Sequence, residues 1–186
     1  AQAAYAGRLL ADLGAEVIKI EPVEGDPARR EAPLSAGGTS LPFFYENANK
    51  KSVVLDLDAQ EGQAHFRTLA ESSDLILESL PVGRLGALGL DPPSLAKENP
   101  ALCMTWVSGF GQTGPYAPER SNDWIASARG GAMTSIGDPA DPPVRLAGHQ
   151  ADVIAASLAA ASSLVALRHA ARTGEGQHVD VSSLEV

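Results

Sequence analysis

Tyr5-Ala6-Gly7-Arg8-Leu9-Leu10-Ala11-Asp12-Leu13-Gly14-Ala15-Glu16-Val17-Ile18-Lys19-Ile20-Glu21-Pro22 reads as a helix, a stop and a strand. Leu9, Leu10 and Leu13 share one helical face, and Gly14 suits the left-handed position that follows a helix. Glu16 to Glu21 then alternates polar and apolar residues until Pro22 ends the run, the pattern of a strand. Parallel sheets are built from strand, helix, strand units, so a helix that opens the chain and feeds a strand implies a strand ahead of it. The chain is expected to begin within such a unit.

The same alternation continues outward. Val23 to Gly38, rich in Pro, Gly, Ala and charge, is predicted to be a surface loop. Ser52 to Leu57 is a second predicted strand, and Ala64, Phe66, Leu69 and Ala70 suit a helix over 59–71. Asp74 to Glu78 and Leu102 to Val107 are further strands, with a short helix opened by Pro92 and Pro93 and running to Glu98 between them. A helix is predicted from Ser121 to Met133, weakened by Gly130 and Gly131. The Ala- and Leu-rich stretch from Asp152 to Arg172 predicts a long helix buried on most sides. Gln177 to Val181 forms a last strand, and Ser182 to Val186 the first turn of another helix. Alternating strands and helices predict the α/β class, an open, doubly wound, mainly parallel, Rossmann-like sheet. One domain covers 1–186, and both ends are expected to be truncated.

Composition narrows the function. The 186 residues carry a net charge of -9, which repels a phosphate backbone or an anionic membrane surface. Nucleic acid and membrane are therefore excluded as expected partners, while a few arginines and helix amino termini still allow a small phosphorylated ligand. Cys103 is the single cysteine, so no intramolecular disulfide forms, and no Cys and His cluster has metal-ligand spacing. Leu102, Met104 and Trp106 around it predict a buried, unreactive thiol. No apolar run is read as membrane-spanning and no leader pattern opens the chain, so a cytoplasmic protein is expected.

Ser108-Gly109-Phe110-Gly111-Gln112-Thr113-Gly114-Pro115-Tyr116 follows the fourth predicted strand, and the carboxyl ends of strands are where open α/β sheets hold ligands. Its glycine spacing fits neither a dinucleotide fingerprint nor a P-loop. Together with Tyr5 to Glu21, Asn49 to Leu57, and Arg172-Thr173-Gly174-Glu175-Gly176-Gln177-His178-Val179-Asp180-Val181, it resembles the family III CoA-transferases, the CaiB/BaiF group. The resemblance covers essentially the whole chain. It implies a large α/β domain whose smaller companion domain is absent here, and two subunits interlocked as a homodimer. Acyl-CoA and carboxylic acids are the implied substrates, with coenzyme A handled as substrate and no tightly bound cofactor.

The resemblance places a catalytic aspartate at Asp152. An Asp beginning an apolar helix faces the positive end of the helix dipole, and an ionised carboxylate is what attacks a thioester to give an acyl-aspartyl anhydride. A plain helix cap is the competing reading. Contacts with CoA are implied at Gln2, in a loop around the adenine end, and at Leu55, Ser79, Leu80 and Arg120. Ser79 and Leu80 replace an asparagine and a phenylalanine common in the family. Ala87 replaces an arginine for which Arg84 is a neighbouring substitute. The α-methylacyl-CoA racemases of the same family carry a histidine where Asn122 stands, and an amide is no base near neutral pH. Asp123 matches an acidic supporting position and equally suits a helix cap; His149 is read as a structural or exposed loop histidine. CoA transfer leads, with racemisation and a non-catalytic family domain as alternatives.

Overall fold

The computed structural model describes residues 2–138 and 140–186. In chain order they form α1 (Gln2–Asp12), β1 (Ile18–Glu21), α2 (Leu41–Glu46), β2 (Lys51–Val54), α3 (Gln60–Glu71), β3 (Leu75–Glu78), α4 (Arg84–Ala87), α5 (Pro92–Leu95), β4 (Cys103–Ser108), α6 (Asp123–Arg129), α7 (Gln150–Thr173) and β5 (His178–Ser182). Short 3-10 turns lie at Pro27–Arg30 and Ala132–Thr134.

All the strand pairs are parallel, as the alternating sequence predicts, yet they fall into two sheets rather than one. β1 pairs with β2, Ile18 opposite Lys51, while β3, β4 and β5 lie side by side with β4 central. Side chains join the sheets: Ile20, Leu55 and Leu57 pack on the cluster of Phe66, Leu85, Leu90, Leu95, Leu102 and Met104.

The second cluster fixes the site. Ala155, Ala156, Ala159 and Ala160 of α7 pack against Ala6 and Leu10 of α1 and against Val107 and Val181. Alanine on that face lets the helix lie close to the sheet, near enough for a buried 2.8 Å bond between the Thr105 and Ser163 hydroxyls. Burying Leu10, Val107 and Val181 contributes at most about 1.5–3 kcal/mol each. Cys103 is fully buried, as its neighbours predict.

Several expectations change. Only one face of α7 is buried; Val153, Ile154, Leu158, Leu164 and Val165 are exposed, Val165 by 69%. Contrary to the sequence reading, α7 is long and apolar enough to cross a membrane by length and composition alone; here it packs on α1, β4 and β5. Residues 23–38 are tied down, because Arg29 donates to both oxygens of Glu21 at 2.7 Å. That pairing, with help from Ser52 and the Asp26 amide, holds the buried Glu21 carboxyl down at about 2 against the opposing effect of burial. Helix α2 was not predicted; Ser40 caps it through the Phe43 amide, and Pro42 sits in its first turn. Ser183 to Glu185 is a turn rather than a helix start, and the Ser183 and Leu184 amides donate to the carbonyls of Ser108 and Gly109 at 2.9 and 3.1 Å.

Candidate active site

The site forms where the amino ends of α1 and α7 meet the carboxyl ends of β4 and β5. Helix α7 begins at Gln150 with His149 as its cap residue, whose side chain makes no cap bond. Asp152 is therefore the third residue of the helix and not its cap. Its main-chain N–H donates instead to Asp123 Oδ1 at 3.2 Å, so one of the helix's free amides is satisfied by a side chain from α6. Asp123 is 3% exposed; Asn122, the cap of α6, accepts from the Ile125 amide at 3.0 Å. Cap and support, equal readings from sequence, thus separate onto two adjacent residues.

The Asp152 carboxylate is held on one side. Gln2 Nε2 donates to Asp152 Oδ1 at 2.6 Å and to Ser183 Oγ at 2.7 Å. Gln2, expected in a loop, is in α1, and its amide reaches the carboxylate proposed to react. Asp152 Oδ2 faces His149 Nδ1 at 3.8 Å. Arg145 lies 3.8 Å from Asp123 Oδ2, donates to the Gly148 carbonyl at 2.6 Å and stacks on Trp124, 4.3 Å from the ring centre. Donor atoms of Asp123, His149 and Asp152 lie within 4.8 Å of one another. A cation there would compete with Gln2, Arg145 and a main-chain amide for the same oxygens.

The remaining predicted contacts lie elsewhere. Leu55 is half-buried against the Phe66 cluster, its amide bonded to the Glu21 carbonyl at 2.9 Å. Ser79 and Leu80 are exposed beyond the carboxyl end of β3, and Arg120 is exposed in the loop before α6. Arg84 is engaged by Asp58, which leaves it less free to replace an arginine at Ala87. The glycine-rich loop packs tightly: a Cβ on Gly109 would come 2.1 Å from the Ser121 Cβ. Arg129 lies over the Tyr116 ring at 4.4 Å and near Phe110. A depression of ≈ 470 Å³ lies away from Asp152, lined by Val165, Arg168, His169, Arg172 and Thr173 of α7 alone; one helix surface encloses nothing, so the site is placed by the hydrogen bonds above.

The model of CoA-transferase family III matches residues 1–186. The chain belongs to that family. It is 40% identical over 185 residues to succinyl-CoA:(R)-benzylsuccinate CoA-transferase subunit BbsE of Thauera aromatica, covering 97% of this chain and 45% of the relative. It is 42% identical over 182 residues to succinyl-CoA--D-citramalate CoA-transferase of Chloroflexus aurantiacus, with the same two shares. A CAIB/BAIF family protein from Brucella suis superposes with a TM-score of 0.91 at 35% identity, over 98% of this chain and 49% of that one. The chain thus spans about half the length of the relatives it matches, their amino-terminal part.

Within this CoA-transferase fold, sequence reasoning missed Ser183 and the contact between Gln2 and Asp152. Gln2 is 150 residues from Asp152 and 181 from Ser183, beyond any local pattern. Glu78 was also passed over. It is buried at the end of β3, accepts the Leu80 amide at 2.6 Å, and burial pushes its carboxyl up to about 7. A carboxyl raised in the folded state binds more protons there than in the unfolded chain, so stability falls as pH rises from about 4.5 to about 7. Glu78→Gln keeps the acceptor for Leu80 and removes the buried charge. Urea unfolding at pH 8 is expected to show a gain of about 1–2 kcal/mol, shrinking towards zero at pH 4.5. An equal effect at both pH values would mean that ionisation is not the cause.

Proposed function

We propose that the protein containing this chain transfers CoA between an acyl-CoA and a carboxylic acid, with Asp152 as the nucleophile. The observation that carries this reading is a carboxylate 14% exposed at the carboxyl edge of the sheet, one oxygen fixed by Gln2 and the other free of hydrogen bonds among the described residues. The names of the relatives supply the reaction class.

Oδ2 attacks the thioester carbonyl, the carbon–sulfur bond breaks, and CoA leaves as the thiolate. The acyl group then shares an anhydride with Asp152, whose Oδ1 has become a carbonyl oxygen. Thiolate attack on the Asp152 carbonyl releases the donor acid as a carboxylate and leaves CoA on Asp152. In that step Oδ1 carries the developing negative charge, and the Gln2 amide is aimed at it. One such donor contributes about 10²–10³ in rate in comparable sites. An acceptor carboxylate attacks the aspartyl thioester, and the released thiolate takes the new acyl group from the second anhydride. Each step exchanges one carboxylate for one thiolate at a carbonyl, so no proton has to be abstracted from carbon and no cofactor is needed.

We further propose that residues 1–186 form part of one large domain, that Leu55, Ser79, Leu80 and Arg120 contact CoA, and that the protein is an interlocked homodimer in the cytoplasm. Racemisation is disfavoured by Asn122, which is the cap of α6 and has no base to offer. The test is steady-state kinetics of the full-length protein with a panel of acyl-CoAs and acids. Parallel lines in double-reciprocal plots at varied acid are expected from a covalent exchange. Solvent deuterium entering the α-carbon without any acceptor acid would favour the racemase instead.

A further inference from the structure

We infer that Ser183 is a positioning residue for the transfer reaction: its hydroxyl keeps the Gln2 amide aimed at Asp152 Oδ1 in the steps where Oδ1 starts as a neutral carbonyl oxygen. This rests on Asp152 being acylated, as proposed above.

The geometry begins with the two hydrogens on the Gln2 amide nitrogen. One goes to Asp152 Oδ1 at 2.6 Å and the other to Ser183 Oγ at 2.7 Å, so both are used and the amide is held from two sides. Ser183 itself is fixed. It is 2% exposed, its main-chain amide donates to the Ser108 carbonyl at 2.9 Å, and the Leu184 amide donates to the Gly109 carbonyl at 3.1 Å. The turn after β5 is thereby tied to the end of β4. Gln2, by contrast, reaches the site on a flexible side chain whose only hydrogen bonds among the described residues are these two.

The chemistry gives the second bond its use. As the nucleophile, Asp152 is a carboxylate and holds Gln2 by a charged hydrogen bond, about twice as strong as a neutral one, so the bond to Ser183 adds little at that stage. Acylation changes this. Oδ2 becomes the bridging oxygen of the anhydride, Oδ1 becomes a neutral carbonyl oxygen, and the hold of Asp152 on the amide weakens. In the next step the thiolate bonds to the Asp152 carboxyl carbon and an electron pair moves onto Oδ1. Its return breaks the bond to Oδ2 and releases the donor acid as a carboxylate. Attack of the acceptor carboxylate on the aspartyl thioester charges Oδ1 a second time before the thiolate leaves. A donor aimed in advance of that charge costs no reorganisation when the charge develops. The first attack, in which Asp152 acts as nucleophile, places its developing charge on the acyl oxygen and depends on Ser183 less.

Rapid-quench intact-mass measurements on the full-length protein, mixed in turn with acetyl-, butyryl- and succinyl-CoA, follow the acyl adduct and its conversion to the CoA adduct. In Ser183→Ala the conversion is expected to slow about tenfold relative to formation of the acyl adduct, so that the acyl form accumulates. The same substitution in a Gln2→Ala background separates positioning from packing. There it is expected to change the ratio of the two rates by less than about twofold, because the side chain it positions is gone. An unchanged ratio in Ser183→Ala, equal slowing of both steps, or the full change in the absence of Gln2 overturns this inference while leaving acylation of Asp152 standing. If none of the thioesters adds a mass that maps to Asp152, the transfer reading fails and this inference falls with it.

Discussion

Asp152→Ala in the full-length protein is expected to lower CoA transfer by at least about 10³-fold while leaving the fold intact. The expectation of an intact fold is specific. Asp152 secures the start of α7 through its main-chain amide, which Asp123 accepts, and alanine retains that amide. The carboxylate loses a single bond, that from Gln2 Nε2, and Ser183 remains to accept from the same amide. Asp152→Asn is the sharper companion, since it preserves size and an acceptor for Gln2 and removes the nucleophile. Transfer rates measured beside urea unfolding curves separate the two effects. A variant that transfers CoA within tenfold of the wild type would remove Asp152 from the mechanism. One that loses activity and stability together would make it a structural residue.

Gly176→Ala is expected to have a large effect on folding. A Cβ there would come 2.0 Å from the Leu102 carbonyl oxygen and 2.6 Å from its carbon, with backbone on both sides of the overlap. The Gly176 amide donates to the Pro100 carbonyl at 2.8 Å, so the entry to β5 is held against the entry to β4 and cannot step aside. Overpacking of this kind costs about 3 kcal/mol or more, enough to depopulate a domain of ordinary stability. Gly114→Ala is the control: φ is +93°, yet a Cβ meets nothing within 4 Å, so only the left-handed backbone resists, at about 1–2 kcal/mol. Thermal melts of the two variants should differ widely; similar melting temperatures would contradict the close approach of the two strand entries.

Elements carried by local apolar pattern were legible in the sequence. The strand at Leu75–Glu78, the strand at Cys103–Ser108 and the helix at Gln150–Thr173 lie within a few residues of their predicted spans, because burial on a sheet or helix face imposes its period on the chain. Residues 23–38 are the surface loop that the sequence predicts, with a short 3-10 turn at Pro27–Arg30, and what the sequence does not show is that charge ties them down: Lys19 with Asp26 at 2.5 Å, and Arg29 with Glu21. Nothing local marks which carboxylate an arginine will find. The open outer face of α7 also escaped prediction, since alanines and leucines on both faces of a helix conceal which face the fold buries.

Around the candidate nucleophile, the sequence marks Asp152 itself but not the residues that hold it. Asp152 stands out through resemblance and through its place near a helix start. That Asp123 caps its amide, that Gln2 holds Oδ1, and that Ser183 steadies Gln2 follow from the meeting of α1, α6, α7 and the turn after β5. Asp152 is the third residue of α7 and not its cap; the cap position is His149, whose side chain makes no cap bond, and Asp123 accepts the Asp152 amide instead.

Intact-mass spectrometry of the full-length protein with a small panel of acyl-CoAs, with and without hydroxylamine, tests the central claim most directly. Expected is an added mass equal to the acyl group or to CoA, mapping to Asp152, converted by hydroxylamine to the aspartyl hydroxamate and absent from Asp152→Ala. Well-folded protein that turns over acyl-CoA with Asp152 unmodified, or with the adduct on another residue, would contradict it.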